Sequence, residues 1–467
     1  MFTPSSVKQG RVTWLSADNR ILNMNRIPLK IFLFFPLFFV FSCTVISARE
    51  KGNSTPQKQT SSKNVIIEMN ETEAPLDLKW LIQEAIEQNP EIIAAQKRLN
   101  AAKAKISQAK SLDDPTIRIG SYDMSNNPVN VNGQTEMLQQ RYGVSQKIPF
   151  PGKLRLRNEV AVEEANMIER DSQSKIQEIT ALVKSAYYEL FYVNSAIDIT
   201  DENRELLRKF SKIAETKYSV GKTTQRDVLA AQVELSTLAN NLIVLNKERE
   251  SIIARLNSLL DRPTYASLGK PRPFKKHTLT LTIKELEDRA IKNRPELKKF
   301  DHAVKKEEAT LKLSKKDYYF ADLEPMVEYM QEDKRSDTWA SSLTINVPWL
   351  WPKNRSKVKE SKEGLNAANA DYRFINNKTM FEVKDLLVRV QSSESTINLY
   401  KTGVIPQAEQ SLKAARIGYE ADRVDFLTLI DSQRILLNSR LLYYRALTDF
   451  EQNLANLERA VGIQLTQ

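Results

Sequence analysis

The chain carries two copies of one plan, about 200 residues apart, and this duplication limits its possible folds more than any other feature. Residues 85–92 (AIEQNPEI) are echoed by residues 290–297 (AIKNRPEL), with a proline at the same place in each. Nearly the same spacing relates IPF at 148–150 to VPW at 347–349, Lys153 to Lys353, and YSVGK at 218–222 to YEADR at 419–423. A tandem duplication predicts one supersecondary unit per half. We assign residues 76–275 to the first structural repeat and residues 276–467 to the second.

The pattern within each repeat predicts long helices. Only 12 glycines and 18 prolines interrupt 467 residues, so the elements should be few and long. We predict one helix from about residue 154 to residue 218. Within it, apolar residues from Ile176 to Ile197 recur at alternating spacings of three and four, which is typical of a coiled-coil helix. At 1.5 Å per residue, this helix would be about 100 Å long. The second repeat predicts an equivalent helix at about residues 356–419, with a break or kink at Gly403 and Pro406.

Two segments in each repeat alternate between apolar and polar residues and predict β-strands. They lie at about residues 116–125, 139–148, 324–331 and 338–347, and the third is the least regular. One apolar and one polar face are typical of a membrane β-barrel with a wet interior. Four strands cannot close such a barrel, because the smallest bacterial examples have eight, and open edges in lipid leave backbone groups unpaired. Several chains must therefore share one barrel, and composition leaves open whether two or three do so.

The amino end predicts export. Residues 31–41 are apolar and follow Arg26 and Lys30; the run is too short to span a bilayer and has the order of a secretory leader. We assign residues 1–42 to this leader, with Met24 as an alternative start. Cys43 is the one cysteine in the sequence, which excludes an intrachain disulfide. It is either a lipid anchor, followed by a flexible tether at residues 43–75, or a cysteine near an ordinary cleavage site.

The duplicated helix-strand-strand-helix-helix unit, the strand exit IPFPGK at 148–153 and the tips after Tyr218 and Tyr419 together resemble the TolC family of outer-membrane efflux proteins. The resemblance covers residues 76–462. It implies a mainly α-helical fold with a membrane β part: three chains form a twelve-stranded barrel in the outer membrane, continued by a coiled-coil barrel of helices across the periplasm. It also implies a passive conduit that works with a periplasmic adaptor and an inner-membrane transporter of the resistance-nodulation-division type, which expels metal ions or drugs.

By the same resemblance, two helical tips lie at the periplasmic mouth of the channel. The residues that would contact the adaptor are Val220, Gly221 and Lys222 in the first tip, and Ala421, Asp422 and Arg423 in the second. The residues that would close the aperture are Asp227, Tyr419, Thr428 and Asp431. A ring of carboxylates from three chains would favour cations. The alternatives are that Asp227 and Asp431 are acids favoured at helix starts, and that Tyr419 is an ordinary packing aromatic.

Asp422 stands where the first tip has Gly221, and a non-glycine residue tolerates left-handed backbone less well. We therefore expect the second tip to differ in shape from the first.

Other function classes have little support in the sequence. His277 and His302 are the two histidines, and they do not stand at a metal-ligand spacing. There is no glycine-rich phosphate loop, so we expect neither an enzyme nor a cofactor. Basic and acidic residues are interleaved, so the net charge of +11 does not predict a nucleic-acid partner. Two alternatives to efflux stay open: a channel for type I protein secretion, and a periplasmic coiled-coil scaffold outside the membrane.

Overall fold

The computed structural model describes residues 75–123, 138–332 and 336–465. The predicted leader, Cys43 and the predicted tether up to residue 74 lie outside these residues. The first repeat contains α1 (Leu78–Gln88), α2 (Pro90–Lys110), β1 (Thr116–Asp123), β2 (Leu138–Ser145), α3 (Lys153–Ser219) and α4 (Gln225–Leu259). The second contains α5 (Ile283–Asn293), α6 (Pro295–Tyr319), β3 (Leu323–Glu332), β4 (Thr338–Ile345), α7 (Pro352–Leu399), a π-helical turn (Tyr400–Val404), α8 (Ile405–Glu420) and α9 (Phe426–Val461).

The shared proline in each repeat divides the first helical segment in two. Pro90 and Pro295 are the first residues of α2 and α6, where a missing backbone N–H costs nothing. Asn89 caps α2, and its side chain accepts hydrogen bonds from the backbone N–H groups of Glu91 and Ile92. Arg294 takes the equivalent place before α6, and its side chain makes no capping bond. The break is therefore dictated mainly by proline.

The long helix of the second repeat is interrupted where the sequence predicts a break or kink. Helix α3 runs for 67 residues without interruption, whereas the five-residue π-turn separates α7 from α8. The stretch from Lys353 to Tyr419 is one residue longer than that from Lys153 to Tyr218. A π-turn accommodates an inserted residue within a continuing helix. The turn thus absorbs the insertion, and Pro406, which has no backbone N–H, follows in the first turn of α8.

The four strands form one antiparallel sheet in the order β1-β2-β3-β4. Strands β2 and β3 join the two repeats, with Val144 opposite Val327 and Tyr142 opposite Tyr329. Strands β2 and β4 end at Ser145 and Ile345, earlier than the predicted 148 and 347. Beyond Ser145, the β2–β3 pairing continues through a hydrogen bond of 3.1 Å from the Gln146 N–H to the Pro325 carbonyl and through an isolated bridge between Ile148 and Leu323.

The two faces of the sheet differ sharply in chemistry. One face is apolar and exposed, and its large residues are Ile117, Ile119, Tyr142, Val144, Leu323, Val327, Trp339, Leu343 and Ile345. On this face the ring of Tyr329 lies 6.4 Å from Tyr142 and 5.1 Å from Trp339. The opposite face is polar: Gln139 donates to Glu332 at 2.9 Å, and Ser145 donates to Glu324 at 2.9 Å. Gln139 and Ser145 are buried although the apolar face is not.

The helices bury three apolar clusters along their length. The first packs α3 against α1, α2 and α4, and the third packs α7 against α5 and α9. The second lies toward the tips, where α3, α4, α8 and α9 meet. Helix α9 lies between α3 and α7, and Arg445 of α9 reaches Glu189 of α3 at 2.6 Å. These contacts fix the two tips next to each other.

Candidate functional site

Both tips have the same backbone geometry. In the first, Gly221 has a φ of 72°, its N–H donates to Tyr218 at 3.0 Å, and Lys222 donates to the Lys217 carbonyl at 2.8 Å. In the second, Asp422 has a φ of 58°, and Arg423 donates to the Gly418 carbonyl at 2.8 Å. The expectation of a different shape is therefore wrong. Asp422 takes the left-handed conformation that its glycine equivalent adopts at lower cost.

A lysine of the first tip fastens it to the second. The ammonium group of Lys217 donates to the Tyr419 carbonyl and to the Asp422 carboxylate. It also lies 4.4 Å from the centre of the Tyr419 ring, within cation–π range. The hydrogen bond from Lys217 holds the pKa of Asp422 below its ordinary value. This ion pair offsets the left-handed backbone of Asp422, and it links the two tips within one chain.

Two of the predicted aperture residues, Tyr419 and Asp227, lie close to the Lys217 contact between the tips. Tyr419 is 4% exposed and packs against Phe426, with 5.3 Å between ring centres. Burial raises the pKa of Tyr419, and the charges of Asp227 and Asp422 raise it further. Asp227 lies in the first turn of α4, is buried, and accepts a hydrogen bond from the hydroxyl of Thr223. Tyr419 is thus a packed aromatic that lies near the Asp227 carboxylate.

The other two predicted aperture residues lie on the first turns of α9. Asp425 caps this helix, and it accepts hydrogen bonds from the backbone N–H and hydroxyl of Thr428. The side chain of Asp431 is 67% exposed and lies 3.4 Å from Arg434. Within the described chain, no hydrogen bond or ion pair joins Asp431 to Asp227 or Tyr419. The structure therefore brings together one pair of the four residues and places Thr428 in the helix cap.

Three residues that hold the hairpins together were not predicted from the sequence. They are Lys217, described above, and the pair Arg434 and Glu234, which joins α9 to α4 through an Arg434 Nε to Glu234 Oε2 bond of 3.1 Å. Glu234 is buried. The second repeat has Gly418 where the first has Lys217, so this difference between the repeats was a readable signal. The Arg434–Glu234 pair had none, because it depends on how the helices face each other.

The six residues predicted to contact an adaptor all lie on the outside of the tips. Val220 is 64% exposed, and added atoms at Gly221 would meet only open space. Lys222, Ala421, Asp422 and Arg423 are exposed as well. An exposed valine beside charged residues at a helix end is a suitable surface for a protein partner, because the apolar side chain gains from burial and the charges select orientation.

The two histidines have structural partners. Nδ1 of His277 lies 2.8 Å from the buried carboxylate of Glu451, and Nδ1 of His302 lies 2.7 Å from Glu163. Among residues 75–123, 138–332 and 336–465, no group of three or more His, Cys, Asp or Glu side chains is placed to hold a metal ion.

Comparison with known proteins gives one consistent result. The sequence pattern of a family described as outer membrane efflux protein matches residues 81–262 and 286–463. The cobalt-zinc-cadmium resistance protein CzcC of Cupriavidus metallidurans is 20% identical over 420 residues, which cover 87% of this chain and 94% of that protein. The outer membrane protein TolC of Escherichia coli is 20% identical over 410 residues, which cover 83% of this chain and 82% of that protein.

Among solved structures, CusC superimposes with a TM-score of 0.74 at 16% identity, covering 84% of this chain and 93% of that one. The crystal structures of CusC concern its folding and transmembrane channel formation. These matches confirm the predicted family and the predicted fold class.

Proposed function

The chain belongs to the outer membrane efflux protein family, and we propose that three copies of it assemble into one outer-membrane channel of a tripartite efflux system. The observation that carries this proposal is the four-stranded sheet, which has an exposed apolar face, a polar face and two unpaired edges in the described chain. An apolar face suits lipid and a polar face suits a wet lumen. Unpaired edges cannot remain in lipid, so the strands must pair between chains, and three chains supply twelve.

The helices provide the periplasmic part of the conduit. Helix α3 has 67 residues, about 100 Å at 1.5 Å per residue. The helices of three chains standing side by side would form a hollow cylinder that continues the barrel and ends at the tips. The exposed tip residues, from Val220 to Lys222 and from Ala421 to Arg423, are the proposed contacts with a periplasmic adaptor. The adaptor connects the channel to an inner-membrane transporter, for which we propose the resistance-nodulation-division type.

The channel is proposed to be passive. Energy would come from the transporter, and the conduit would need no catalytic residue or cofactor. The cargo is proposed to be metal ions or drugs: CzcC is named for resistance to cobalt, zinc and cadmium. Cys43 is proposed as a lipid anchor that adds to the hold of the barrel on the membrane.

Cargo is tested with a strain that lacks this gene. We expect it to accumulate the exported metals or drugs, and the wild-type gene to restore their release. A deletion that changes no metal or drug tolerance but blocks export of one protein would instead identify a secretion channel.

We predict that Lys217→Met makes the resting channel leak. The substitution keeps a chain of similar length but removes the charge that holds Tyr419 and Asp422. The tips then lose, in each of three chains, a charge-assisted hydrogen bond to the Tyr419 carbonyl and the ion pair with Asp422. Planar-bilayer recording should show a higher resting conductance. Lys222→Met is the matched control, because Lys222 is more exposed and lies 3.7 Å from Asp422. Equal conductance of the wild type and Lys217→Met would show that this contact does not hold the tips closed.

We also propose that Asp431 contributes to a carboxylate ring at the aperture. In planar bilayers, Asp431→Ala should make the closed pore leakier to ions and weaken block by polyvalent cations, because fewer carboxylates then face the pore. If Asp431→Ala changes neither conductance nor block, Asp431 does not belong to the aperture.

A further inference from the structure

The two repeats meet at a joint built around a buried lysine. Lys153, at the start of α3, is 1% exposed. Its ammonium group donates to the Phe320 carbonyl at 2.9 Å and to Asp322 at 2.7 Å, both in the link between α6 and β3. Beside it, the ring of Phe150 stacks on Phe320 at 4.2 Å. We call these four residues the repeat joint.

The duplication assigns each member of the repeat joint a counterpart in the other repeat. On one side, Phe150 and Lys153 correspond to Trp349 and Lys353. On the other, strand pairing sets the match: Ser145 corresponds to Thr344, and their partners across each hairpin are Thr116 and Glu324. Two residues before these lie Asp114 and Asp322, and four residues before lie Leu112 and Phe320. The counterparts of the joint are therefore Leu112, Asp114, Trp349 and Lys353.

These four counterparts are exposed and unengaged in the single chain. Trp349 is 54% exposed, whereas its counterpart Phe150 is partly buried; Leu112, at 49%, is about as exposed as its counterpart Phe320, at 40%. Lys353 and Asp114 are exposed, and within the described chain neither makes an ion pair or side-chain hydrogen bond. Their equivalents in the repeat joint are a stacked aromatic pair and a buried ion pair. One chain thus carries two complementary halves of a second joint, on opposite edges of its sheet.

We propose that a second copy of this chain completes that joint: Lys353 of one chain enters the α2–β1 link of its neighbour and pairs with Asp114, while Trp349 packs on Leu112. The inference rests on the proposed shared barrel and specifies how its chains meet. One detail differs from the repeat joint. Pro115 takes the place of Leu323, whose N–H donates to Ile148 at 3.0 Å, so one backbone hydrogen bond of the original joint is missing from the copy.

The long helices support the same arrangement independently. Helix α4 corresponds to α9, which packs between α3 and α7. Helix α4 packs on α3 but leaves Val233, Ile243 and Val244 more than half exposed. By length and composition α4 could span a membrane, and only 22% of its most apolar 18-residue stretch is buried in the single chain. We assign its exposed stripe to the α7 helix of the neighbouring chain.

Helix α7 offers a matching surface. Phe381 is 71% exposed and Val388 is 48% exposed. Their counterparts on α3 are Ala181 and Tyr188, at 6% and 4%. Helix α3 packs against both α4 and α9 within the chain and buries these positions, whereas α7 leaves the equivalent positions exposed. The neighbouring chain would cover them by the same packing.

The correspondence between the two repeats also predicts the strand register between chains. Tyr142 pairs with Tyr329 inside the chain, and their counterparts are Ser341 of β4 and Ser121 of β1. Ser341 should therefore lie directly opposite Ser121 of the neighbour. Paired residues on adjacent strands have Cα atoms about 4.5–5.5 Å apart, within the range of about 4.4–6.8 Å that a disulfide spans.

Two cysteine variants test this register in the full chain in its native membrane. Ser121→Cys with Ser341→Cys should give covalently linked oligomers on non-reducing gels after mild oxidation, and a thiol should reverse them. Ser121→Cys with Ser342→Cys is the control, because residues 341 and 342 point to opposite sides of the sheet; it should link far less. Wild-type protein, with Cys43 alone, gives the background. An assembled channel that links through the control pair, or through neither pair, would overturn the proposed register.

Charge reversal tests the ion pair itself. Asp114→Lys and Lys353→Asp should each weaken the heat-modifiable oligomer, and the double variant should restore it. Lys353→Met should weaken association without lowering the protease resistance of the unassembled chain, because the repeat joint is intact. If each single variant assembles as the wild type does, the proposed pair is wrong while the shared barrel stands. If wild-type protein shows no oligomer at all, the proposed channel fails as well.

Discussion

Lys153→Met is expected to prevent the chain from reaching a stable assembled state. The lysine is almost completely buried between the repeats and is held by the Phe320 carbonyl and Asp322. Burial raises the pKa of the Asp322 carboxyl, but hydrogen bonds from Lys153 and from the Phe150 backbone N–H lower it more, so Asp322 stays charged. Removing the lysine would leave this carboxylate without its partner, and breaking a buried pair in this way costs about 3–5 kcal/mol.

The measurement is the amount of heat-modifiable oligomer in outer membranes, together with protease resistance of the chain. Lys315→Met is the matched control. Lys315 lies near the end of α6, just before the link that contains Phe320 and Asp322, and it is exposed. Lys153→Met combined with Asp322→Asn should recover part of the oligomer. The asparagine side chain can still accept the hydrogen bond from the Phe150 N–H, and no unpaired charge is left buried. Normal assembly of the single Lys153→Met variant would mean that the repeat joint does not depend on this ion pair.

Leu343→Arg is expected to block membrane insertion. Leu343 is 56% exposed on the apolar face of β4, between the rows that contain Ile345 and Ser341. An arginine facing lipid in a β-barrel costs about 2–4 kcal/mol near the middle of the bilayer. The cost arises once in each chain of the channel. Three copies would therefore cost about 6–12 kcal/mol, which is comparable with the whole free energy of unfolding of a typical protein, about 5–15 kcal/mol.

The neighbouring residue provides a sharp control for Leu343→Arg. Ser342 lies on the polar face of the same strand, opposite Met326, and an arginine there would face the wet lumen. We expect Ser342→Arg to insert and to change ion selectivity in planar bilayers, and Leu343→Arg to be absent from the outer-membrane fraction. Equal insertion of both variants would contradict the assignment of the apolar face to lipid.

Much of this architecture follows from patterns that a sequence displays directly. The alternation along Ile117 to Ile119 and along Leu343 to Ile345 depends only on which side of a strand each residue occupies. The β3 segment was less regular because Met326 and Met330 are apolar residues on the polar face. The structure shows what they do there: each sulfur lies 3.6 Å from a donor, Arg118 for Met326 and Gln139 for Met330.

The features that were not predicted from the sequence depend on which side chains of distant elements come into contact. The contact of Lys217 with Tyr419 joins residues 202 positions apart. The sequence shows that Gly418 replaces this lysine in the second repeat, but that difference does not identify the partner of Lys217. The predicted shape of the second tip was wrong because the cost of left-handed backbone at Asp422 was considered without the ion pair that offsets it. Gly403 and Pro406 predicted the place of the break in the second long helix, but not its form, a π-turn that accommodates one extra residue.

The central claim is that one chain cannot seal a membrane barrel and that three do so together. Light scattering of the detergent-extracted protein, with the detergent mass subtracted, measures the number of chains per particle. We predict three chains per particle, stable on dilution and dissociated by heat in strong detergent. A monodisperse single chain that stays in solution after the detergent is removed would contradict the claim.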